Sequence, residues 1–357
     1  MKKLILHIGS HKTGTSAIQK ALVENKRALK KNGWRLFHQM PNGKSYPKGS
    51  CSSWVDFEGS GEFFKASVNE NLFDELGKLP GSHILSSEEL SWLFDEDQIS
   101  LFCQNLKSIY DQITVIVYLR RQDKQLVSHY QQGFKFTHST ARRFFGNEIS
   151  PLPNYSERFD KYLDYFTRIG FWAKSVGESN LKVRIFEPEY LHNDGVVADF
   201  FSICDIPLCT VDERVNEAVC KFDVAVNEAR EISNFSNQAI TDFIKMCVLE
   251  RNPELRLQKL VPSMSSAYHI YERFIKNNRL LNEQFKLVNR DDLFSTSDFE
   301  LYPEEEIGLS QDEKLRLIGE FFGGLEALKV RDVLRLLIHM LRNRHRSSLK
   351  SSRNPYY

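Results

Sequence analysis

The sequence lacks an apolar stretch near its start that could act as a signal or membrane anchor. Met1 and two lysines precede only Leu4, Ile5 and Leu6 before His7 interrupts the run. A secretory signal needs about 7–15 apolar residues after its charged segment, and a membrane-spanning helix needs about 20. We therefore expect a cytoplasmic protein without a signal peptide or a transmembrane segment.

Cysteine is sparse, and charge of either sign is not in excess. The six cysteines are scattered without a CxxC pair, and the formal net charge is +1. Scattered cysteines of this kind indicate reduced thiols rather than a disulfide framework. No His, Cys and Asp cluster has the spacing of metal ligands, so no metal is expected. A charge near zero gives no global field for nucleic acid, and we expect none as a partner.

Apolar residues are plentiful, and their periods alternate along the chain. Hydrophobic residues make up 41% of the 357 positions, which is enough for a large packed core. Short apolar runs predict strands at 3–8, 83–85, 113–119 and 181–186. Helical spacings lie between these runs, and strands that alternate with helices predict an α/β fold with a parallel sheet. Farther along, helices are predicted near 221–250, 264–287 and 310–345.

These patterns predict one domain in two parts, followed by a tail. A core covers 1–211, an α-helical region over 212–345 completes the domain, and a basic flexible tail covers 346–357. The chain has no acidic residue after Asp332, so the tail could make a peripheral contact with a membrane surface or an anionic glycan. Residues 38–62 are rich in Gly, Ser, Pro and Asn, and they predict a long loop near a site.

The segment GSHKTGTS (9–16) lies between the first predicted strand and the first predicted helix. At such a junction, backbone N–H groups and the positive end of the helix converge on an anion, and glycines let the backbone approach it. Lys12 adds an ammonium group, and Thr15 and Ser16 add hydroxyl donors. A Walker A motif needs Lys directly after its second Gly, where this chain has Thr15. The segment therefore predicts a phosphate-binding loop of another kind.

A second anion site is predicted where the strand ITVIVYL (113–119) ends. Arg120 follows that strand directly, and Ser128 comes eight residues later. On a helix that starts near residue 122, Ser128 lies within about two turns, so both side chains can converge on one small anion. The planar donor group of Arg suits phosphate. The alternative is that Arg120 and Arg121 only cap the edge of the sheet.

Both segments resemble motifs of the sulfotransferase family. LHIGSHKTGTSAIQ (6–19) resembles the family's 5′-phosphosulfate loop, and YLRRQDKQLVSHY (118–130) resembles its 3′-phosphate motif. The resemblance implies a P-loop-like three-layer α/β/α fold, with 3′-phosphoadenosine 5′-phosphosulfate (PAPS) as donor and the desulfated nucleotide PAP as product. More weakly, residues 183–191 resemble the family's late strand and turn. Residues 273–294 resemble C-terminal segments of bacterial members, many of which sulfate polysaccharides or glycoconjugates, so a carbohydrate acceptor is expected.

The resemblance also implies roles for individual residues. Lys12 would stabilise charge on the bridging oxygen as the sulfate bond breaks, and Arg120 and Ser128 would hold the 3′-phosphate. The 5′-phosphosulfate would be held by Lys12, Thr13, Gly14, Thr15 and Ser16.

The family's catalytic base is a His or a Glu, often at the end of the strand that follows the phosphate loop. In HILSSEEL (83–90), Glu88 stands at that position, and we predict that Glu88 is the base. Ser86 and Glu89 also fit a capping box, which would make Glu89 structural and Glu88 a helix-terminal charge. His11 could contact the phosphosulfate or the acceptor, or support the loop. His129 is expected on the opposite helix face from Ser128.

Two other functions fit parts of the pattern. A P-loop kinase needs a Walker lysine and a Mg²⁺-binding Asp on a strand, and the sequence shows neither. A non-catalytic protein that binds PAP or a glycan predicts damaged ligands, whereas Lys12, Arg120 and Ser128 are all present.

Overall fold

The computed structural model describes residues 1–135, 139–207, 219–233 and 238–326. Three sequence predictions therefore lie partly or wholly outside the described residues. They are the start of the helical region at 212–218, the end of the predicted helix over 310–345, and the basic tail over 346–357.

The strands of the described residues form one parallel sheet and one hairpin. They are β1 (Lys3–His7), β2 (Trp34–Leu36), β3 (Val55–Glu58), β4 (Lys65–Val68), β5 (Ser82–Ser86), β6 (Gln112–Leu119) and β7 (Leu181–Ile185). The parallel sheet has the order β2-β5-β1-β6-β7. Leu6 at its centre pairs with Leu85 of β5 and with Val115 of β6. The chain leaves β1 towards one edge and later crosses to β6, so the strand order reverses beside β1, where ligands of open α/β sheets bind.

Strand β6 is buried on both faces, which explains why its sequence is apolar at nearly every position. Val115 and Val117 belong to the hydrophobic cluster on one side of the sheet. Ile116 and Tyr118 belong to the cluster on the other side. Successive side chains of a strand point to opposite faces, so a continuous apolar run is the expected signature of a covered parallel strand.

Helices cover both faces of this sheet. Within the described residues they are α1 (Thr15–Glu24), α2 (Lys26–Lys31), α3 (Asn71–Lys78), α4 (Glu96–Lys107), α5 (Gln122–Gln132), α6 (Thr140–Phe145), α7 (Arg158–Leu163), α8 (Tyr165–Val176), α9 (Val196–Ile203), α10 (Lys221–Ser233), α11 (Gln238–Arg251), α12 (Met264–Glu272), α13 (Ile275–Phe285) and α14 (Gln311–Glu326). Helices α1 and α9 pack together on one face, and α4 and α8 pack together on the other. The predicted three-layer α/β/α fold with a central parallel sheet is confirmed.

The predicted long loop over 38–62 contains a short strand that was not predicted. Strand β3 lies inside that range and pairs with β4 in an antiparallel hairpin, with Phe57 opposite Ala66. The strand is short, and its apolar residues Val55 and Phe57 alternate with acidic ones. The strand was not predicted, because the Gly and Ser residues on either side of β3 indicate a loop and the alternation between them is brief.

The C-terminal helices share the core of the sheet. Ala267 and Ile270 of α12, and Leu281 of α13, belong to the same hydrophobic cluster as Val115 of β6. Helix α12 packs on α5, and α13 packs on α8. Helices α10, α11 and α14 pack around a smaller cluster of their own, which includes Phe222, Ile244, Leu317 and Phe321.

Arg121 joins the end of β6 to the C-terminal segment. Its side chain is 2% exposed, and its Nε donates to Asp123 at 2.7 Å. Nη1 donates to the carbonyl of Ser295 at 2.5 Å and also contacts Asp298. The guanidinium lies 3.9 Å from the ring centre of Phe299. Arg121 is therefore a structural residue, whereas its neighbour Arg120 faces the loop that follows β1.

We predict that Arg121→Met lowers the free energy of unfolding by about 3–5 kcal/mol, because the buried carboxylate of Asp123 loses its cation. The matched control is Arg279→Met, which breaks an exposed pair with Asp292 and should cost about 1 kcal/mol or less. Urea denaturation followed by circular dichroism measures both. Equal losses in the two variants would contradict the assigned role of Arg121.

Candidate functional site

The loop after β1 is held by the end of β6. The amide of Ser10 donates to the carbonyl of Tyr118 at 3.0 Å, and the amide of Tyr118 donates to the carbonyl of Gly9 at 2.7 Å. Inside the loop, the buried hydroxyl of Thr13 donates to the carbonyl of Ser10 at 2.7 Å. The hydroxyl of Thr13 is thus used within the loop, and only its backbone is left for a ligand.

Gly14 connects the loop to α1 in a way that leaves the helix without a side-chain cap. Its φ is +81°, and a Cβ there would lie 2.6 Å from Cγ1 of Val196. The left-handed conformation and the close approach both favour glycine. Glycine cannot cap a helix with a side chain, and none replaces it. Among the described residues, no acceptor takes the amide N–H groups of residues 12–16, so this end of α1 is open to an anion.

Lys12 and Arg120 place positive charge at this open end. Nη1 of Arg120 donates to the carbonyl of Lys12 at 3.3 Å. Neither side chain forms an ion pair with a carboxylate in the described part of the chain. Burial, together with the nearby charges of Lys135 and Arg120, lowers the pKa of Lys12 to about 8. A bound anion would remove this repulsion.

The loop and two carboxyl groups line the same cavity, which has a volume of about 290 Å³. We call it the loop cavity. It brings together most of the site residues that the sequence predicted. Its lining is His11, Lys12, Gly14, Thr15, Ser16, Glu88, Glu89, His129, Gln132, Ser139, Thr140 and Ala141.

Glu88 and Glu89 enter this cavity from a 3₁₀ turn (Glu88–Trp92) that follows β5. The alternative of a capping box is not realised, because the hydroxyl of Ser86 is 2.8 Å from Nδ1 of His7 and no side chain caps the turn. Nε2 of Gln19, on α1, donates to Oε2 of Glu88 at 2.5 Å. Oε2 of Glu89 lies 3.5 Å from Nε2 of His11. Both carboxyl groups are therefore part of the cavity rather than of a helix cap.

Burial makes both carboxyl groups more basic than an exposed glutamate. Burial raises the pKa of Glu88, and the neighbouring charge of Glu89 raises it further. Burial raises the pKa of Glu89 to about 7, although the side chain of Trp92 opposes this shift. A carboxyl group that titrates near neutral pH can both take up and release a proton there.

Two histidines stack beside these carboxyl groups. The rings of His11 and His129 lie 4.1 Å apart at 22°. Their Nδ1 atoms are 3.1 Å and 2.9 Å from the hydroxyl of Tyr162. Burial lowers the pKa of both imidazoles well below the ordinary value, with added repulsion from Arg168 on His11 and from His11 on His129. Both rings are therefore neutral at physiological pH, and the pair adds hydrogen bonds without adding charge.

Gln125 fixes the hydrogen bonds of this histidine pair. Its amide nitrogen donates to the carbonyl of His11 at 2.9 Å and to the hydroxyl of Tyr162 at 2.6 Å. Because the carbonyl of His11 can only accept a hydrogen bond, the side-chain amide nitrogen of Gln125, and not its oxygen, must face His11. Tyr162 then has one proton to donate, so one imidazole Nδ1 accepts it and the other donates. The imidazole that donates has an unprotonated Nε2.

The sequence analysis missed several residues of this network. His129 was expected to face away from the site, but it lies one turn beyond Gln125 on the buried side of α5. Ser128, in contrast, is half-buried and lies outside the lining of the loop cavity. The spacing of four between Gln125 and His129 was a usable signal. Nothing in the sequence links Tyr162 to His11, from which it is separated by 151 positions.

The described residues contain neither a metal-binding cluster nor a membrane-spanning helix. No group of three or more His, Cys, Asp or Glu side chains in that part of the chain could hold a metal ion. No helix there is both long enough and apolar enough to cross a membrane.

Comparison with known proteins gives weak similarities. No protein-family model matches the sequence. An uncharacterized protein of Archaeoglobus fulgidus is 23% identical over 218 residues, which are 58% of this chain and 57% of that protein. The match thus spans little more than half the length of this relative.

Two solved structures align with the fold at low scores. A sulfotransferase from Alicyclobacillus acidocaldarius aligns with a TM-score of 0.36 and 15% identity, over 66% of this chain and 92% of its own. A mouse sulfotransferase complexed with PAP aligns with a TM-score of 0.30 and 12% identity, over 94% of this chain and 88% of its own. Values this low establish no family, so the functional conclusion depends on the site itself.

We predict that Glu89→Gln changes how stability depends on pH. Because folding raises the pKa of Glu89 from 4.5 to about 7, its contribution to stability is full below the unfolded pKa and is lost as pH rises through about 7. The variant has no such loss. The free energy of unfolding of the variant, relative to that of the wild type, should therefore increase by up to about 3 kcal/mol between about pH 4 and pH 8. Urea denaturation at both pH values measures this, and an unchanged difference would contradict the raised pKa.

Proposed function

We propose that this chain is a sulfotransferase that moves the sulfuryl group of PAPS to a hydroxyl of a carbohydrate, such as a surface polysaccharide or a glycoconjugate. The observation that carries the proposal is the loop cavity, where an anion-binding loop with Lys12 meets Glu88 and Glu89. Transfer to a hydroxyl requires a positive cradle for the donor and a base for the acceptor proton. The resemblance of both anion motifs to the sulfotransferase family supports the choice of donor.

The loop fits a phosphosulfate group. Its amides have no acceptor within the described residues, its ammonium group has no ion pair, and the close approach at Gly14 leaves no room for a side chain. Lys12, Gly14, Thr15, Ser16 and the backbone of Thr13 would hold the 5′-phosphosulfate. Bound PAPS supplies the sulfuryl group, and Lys12 would neutralise the negative charge that grows on the phosphate side.

Arg120 and Ser128 are proposed to hold the 3′-phosphate, which PAPS has and ATP lacks. Arg120 supports this role because it lies beside Lys12 without an ion pair. Ser128 is half-buried on α5, and its hydroxyl has no hydrogen-bond partner among the described residues. Two donors of this kind after β6 would hold a small dianion through charge-assisted hydrogen bonds.

Glu88 is proposed as the base that takes the acceptor proton. Gln19 holds its carboxylate and lies one turn beyond Thr15 on α1, so the base is tied to the helix whose first turn would bind the donor. Its raised pKa makes it a stronger base than an exposed glutamate. Glu89 contacts His11 instead, and we propose that neutral His11 orients Glu89 and contacts the donor or the acceptor.

A metal-dependent kinase fits this site less well. Thr15 stands where a Walker A motif has its lysine. The acid that follows β6, Asp123, is fully buried and accepts hydrogen bonds from Arg121 and Tyr302. That carboxylate is therefore committed to the fold and is not available to a magnesium ion.

We predict that Lys12→Ala lowers sulfuryl transfer from PAPS by at least about a hundredfold, because it removes the cation that faces the donor. The assay follows PAP release with a panel of polysaccharide and glycoconjugate acceptors. Lys30→Ala removes an exposed lysine from α2 and should leave the rate unchanged. Normal turnover by Lys12→Ala would contradict the assigned role of the loop.

We also predict that Glu88→Gln lowers turnover at least about a hundredfold while PAP still binds, as expected for loss of a positioned base. Glu89→Gln is the matched control, since it removes the neighbouring carboxylate with the same change in shape, and its loss should be smaller. Near-normal turnover by Glu88→Gln, or a larger loss in Glu89→Gln, would move the role of base to Glu89.

A further inference from the structure

A second and larger cavity adjoins the loop cavity at Trp92. Its volume is about 730 Å³, within the range of about 300–1,000 Å³ that is usual for small-molecule sites. We call it the aromatic cavity, because its lining includes Phe64, Trp92, Phe94, Phe144 and Phe171. The ring of Trp92 lies 4.9 Å from that of His11 and 4.8 Å from that of Phe144. Trp92 is therefore in contact with both sites.

Arg168 of α8 gives this apolar cavity a buried positive charge. It lines the cavity and is 4% exposed. Nη1 donates to the carbonyl of Ser91 at 3.1 Å, and Nη2 donates to the hydroxyl of Ser10 at 3.3 Å. The guanidinium has five N–H donors, yet within the described residues it forms no ion pair. A buried cation without a counter-ion is costly, so this position favours an anionic ligand.

The carboxylates on the cavity lining do not meet this need, because each already has a partner. The partners are Arg158 for Glu62, the amide of Gln98 for Asp95, Tyr155 for Asp160, and the amide and hydroxyl of Thr167 for Asp164. Lys65 and Lys161 also line the cavity, and in the described part of the chain neither forms an ion pair. The lining thus carries equal numbers of carboxylates and cations, but among the described residues none of these carboxylates forms an ion pair with Arg168.

We propose that the aromatic cavity binds a small organic carboxylate with an aromatic or alicyclic body, and that Arg168 binds the carboxylate. Aromatic walls suit the faces of such a ring, and the planar donors of Arg suit a carboxylate. Because Arg168 also donates to Ser10 of the phosphate-binding loop, occupation of the cavity acts on that loop. The carboxylate belongs either to the acceptor or to a separate small molecule, and binding itself does not depend on the proposed sulfuryl transfer.

The test is an NMR titration of the full chain with phenylacetate and with its neutral analogue phenylacetamide. Phenylacetate should bind at one site, at least about tenfold more tightly than phenylacetamide, as one charge-assisted hydrogen bond to a carboxylate predicts. Equal affinities, or no binding of either probe, would overturn the proposal.

A pair of tryptophan variants on α8 locates the binding site without changing the buried arginine. Thr167→Trp places a ring at the exposed edge of the cavity and should weaken phenylacetate binding at least about tenfold, with the melting temperature unchanged. Lys174→Trp alters the same helix outside the cavity lining and should bind phenylacetate normally. Unchanged binding by Thr167→Trp would place the ligand elsewhere and overturn the proposal.

Competition distinguishes the two sources of the carboxylate. Displacement of phenylacetate by glucuronate but not by glucose would support the proposal with the carboxylate on a carbohydrate acceptor. Binding of phenylacetate that glucuronate does not displace would support it with a separate small molecule. Loss of transfer activity in Lys12→Ala tests a different site, so the proposed function and the aromatic cavity can fail independently.

Discussion

The positive end of α1 lacks a side-chain cap, and the arrangement of the site follows from this. Gly14 is required there by a left-handed backbone and by the approach of Val196, so the helix begins with open amides. Hydrogen bonds from the loop to β6 hold that end at the reversal of strand order. Lys12 and Arg120 add charge beside it without forming ion pairs in the described chain. Among the described residues no carboxylate pairs with these charges, so this end of α1 favours an anionic ligand.

Around this centre, buried groups are kept neutral or weakly acidic. Burial raises the pKa of Glu88 and Glu89, and it lowers the pKa of His11 and His129. Carboxyl groups can therefore lie near the loop without becoming a counter-ion for Lys12, and they remain able to take a proton. The charge of Arg168 behind the loop adds to the same positive field, and it contributes to the lowered pKa of His11.

The sequence predicted the parts of this structure that local patterns determine. The loop between β1 and α1 was predictable because its glycines separate a strand pattern from a helix pattern, and β6 was predictable because it is apolar at nearly every position. The capping box failed because the hydroxyl of Ser86 is taken by His7, which lies 79 positions away. The position of His129 and the network around Tyr162 likewise depend on tertiary packing, which the local sequence pattern does not reveal. The assignments of Arg120, Ser128 and Glu88 remain predictions.

The most direct test of the account is calorimetric titration of the protein with PAP and with ADP in the absence of metal. Each nucleotide has two phosphate groups: PAP carries one at the 5′ and one at the 3′ position, whereas ADP carries both at the 5′ position. The account predicts that PAP binds at least about tenfold more tightly, since the 3′-phosphate adds charge-assisted hydrogen bonds, and that Arg120→Ala removes most of this preference. Equal affinities for PAP and ADP would contradict the account and leave the loop as a general phosphate site.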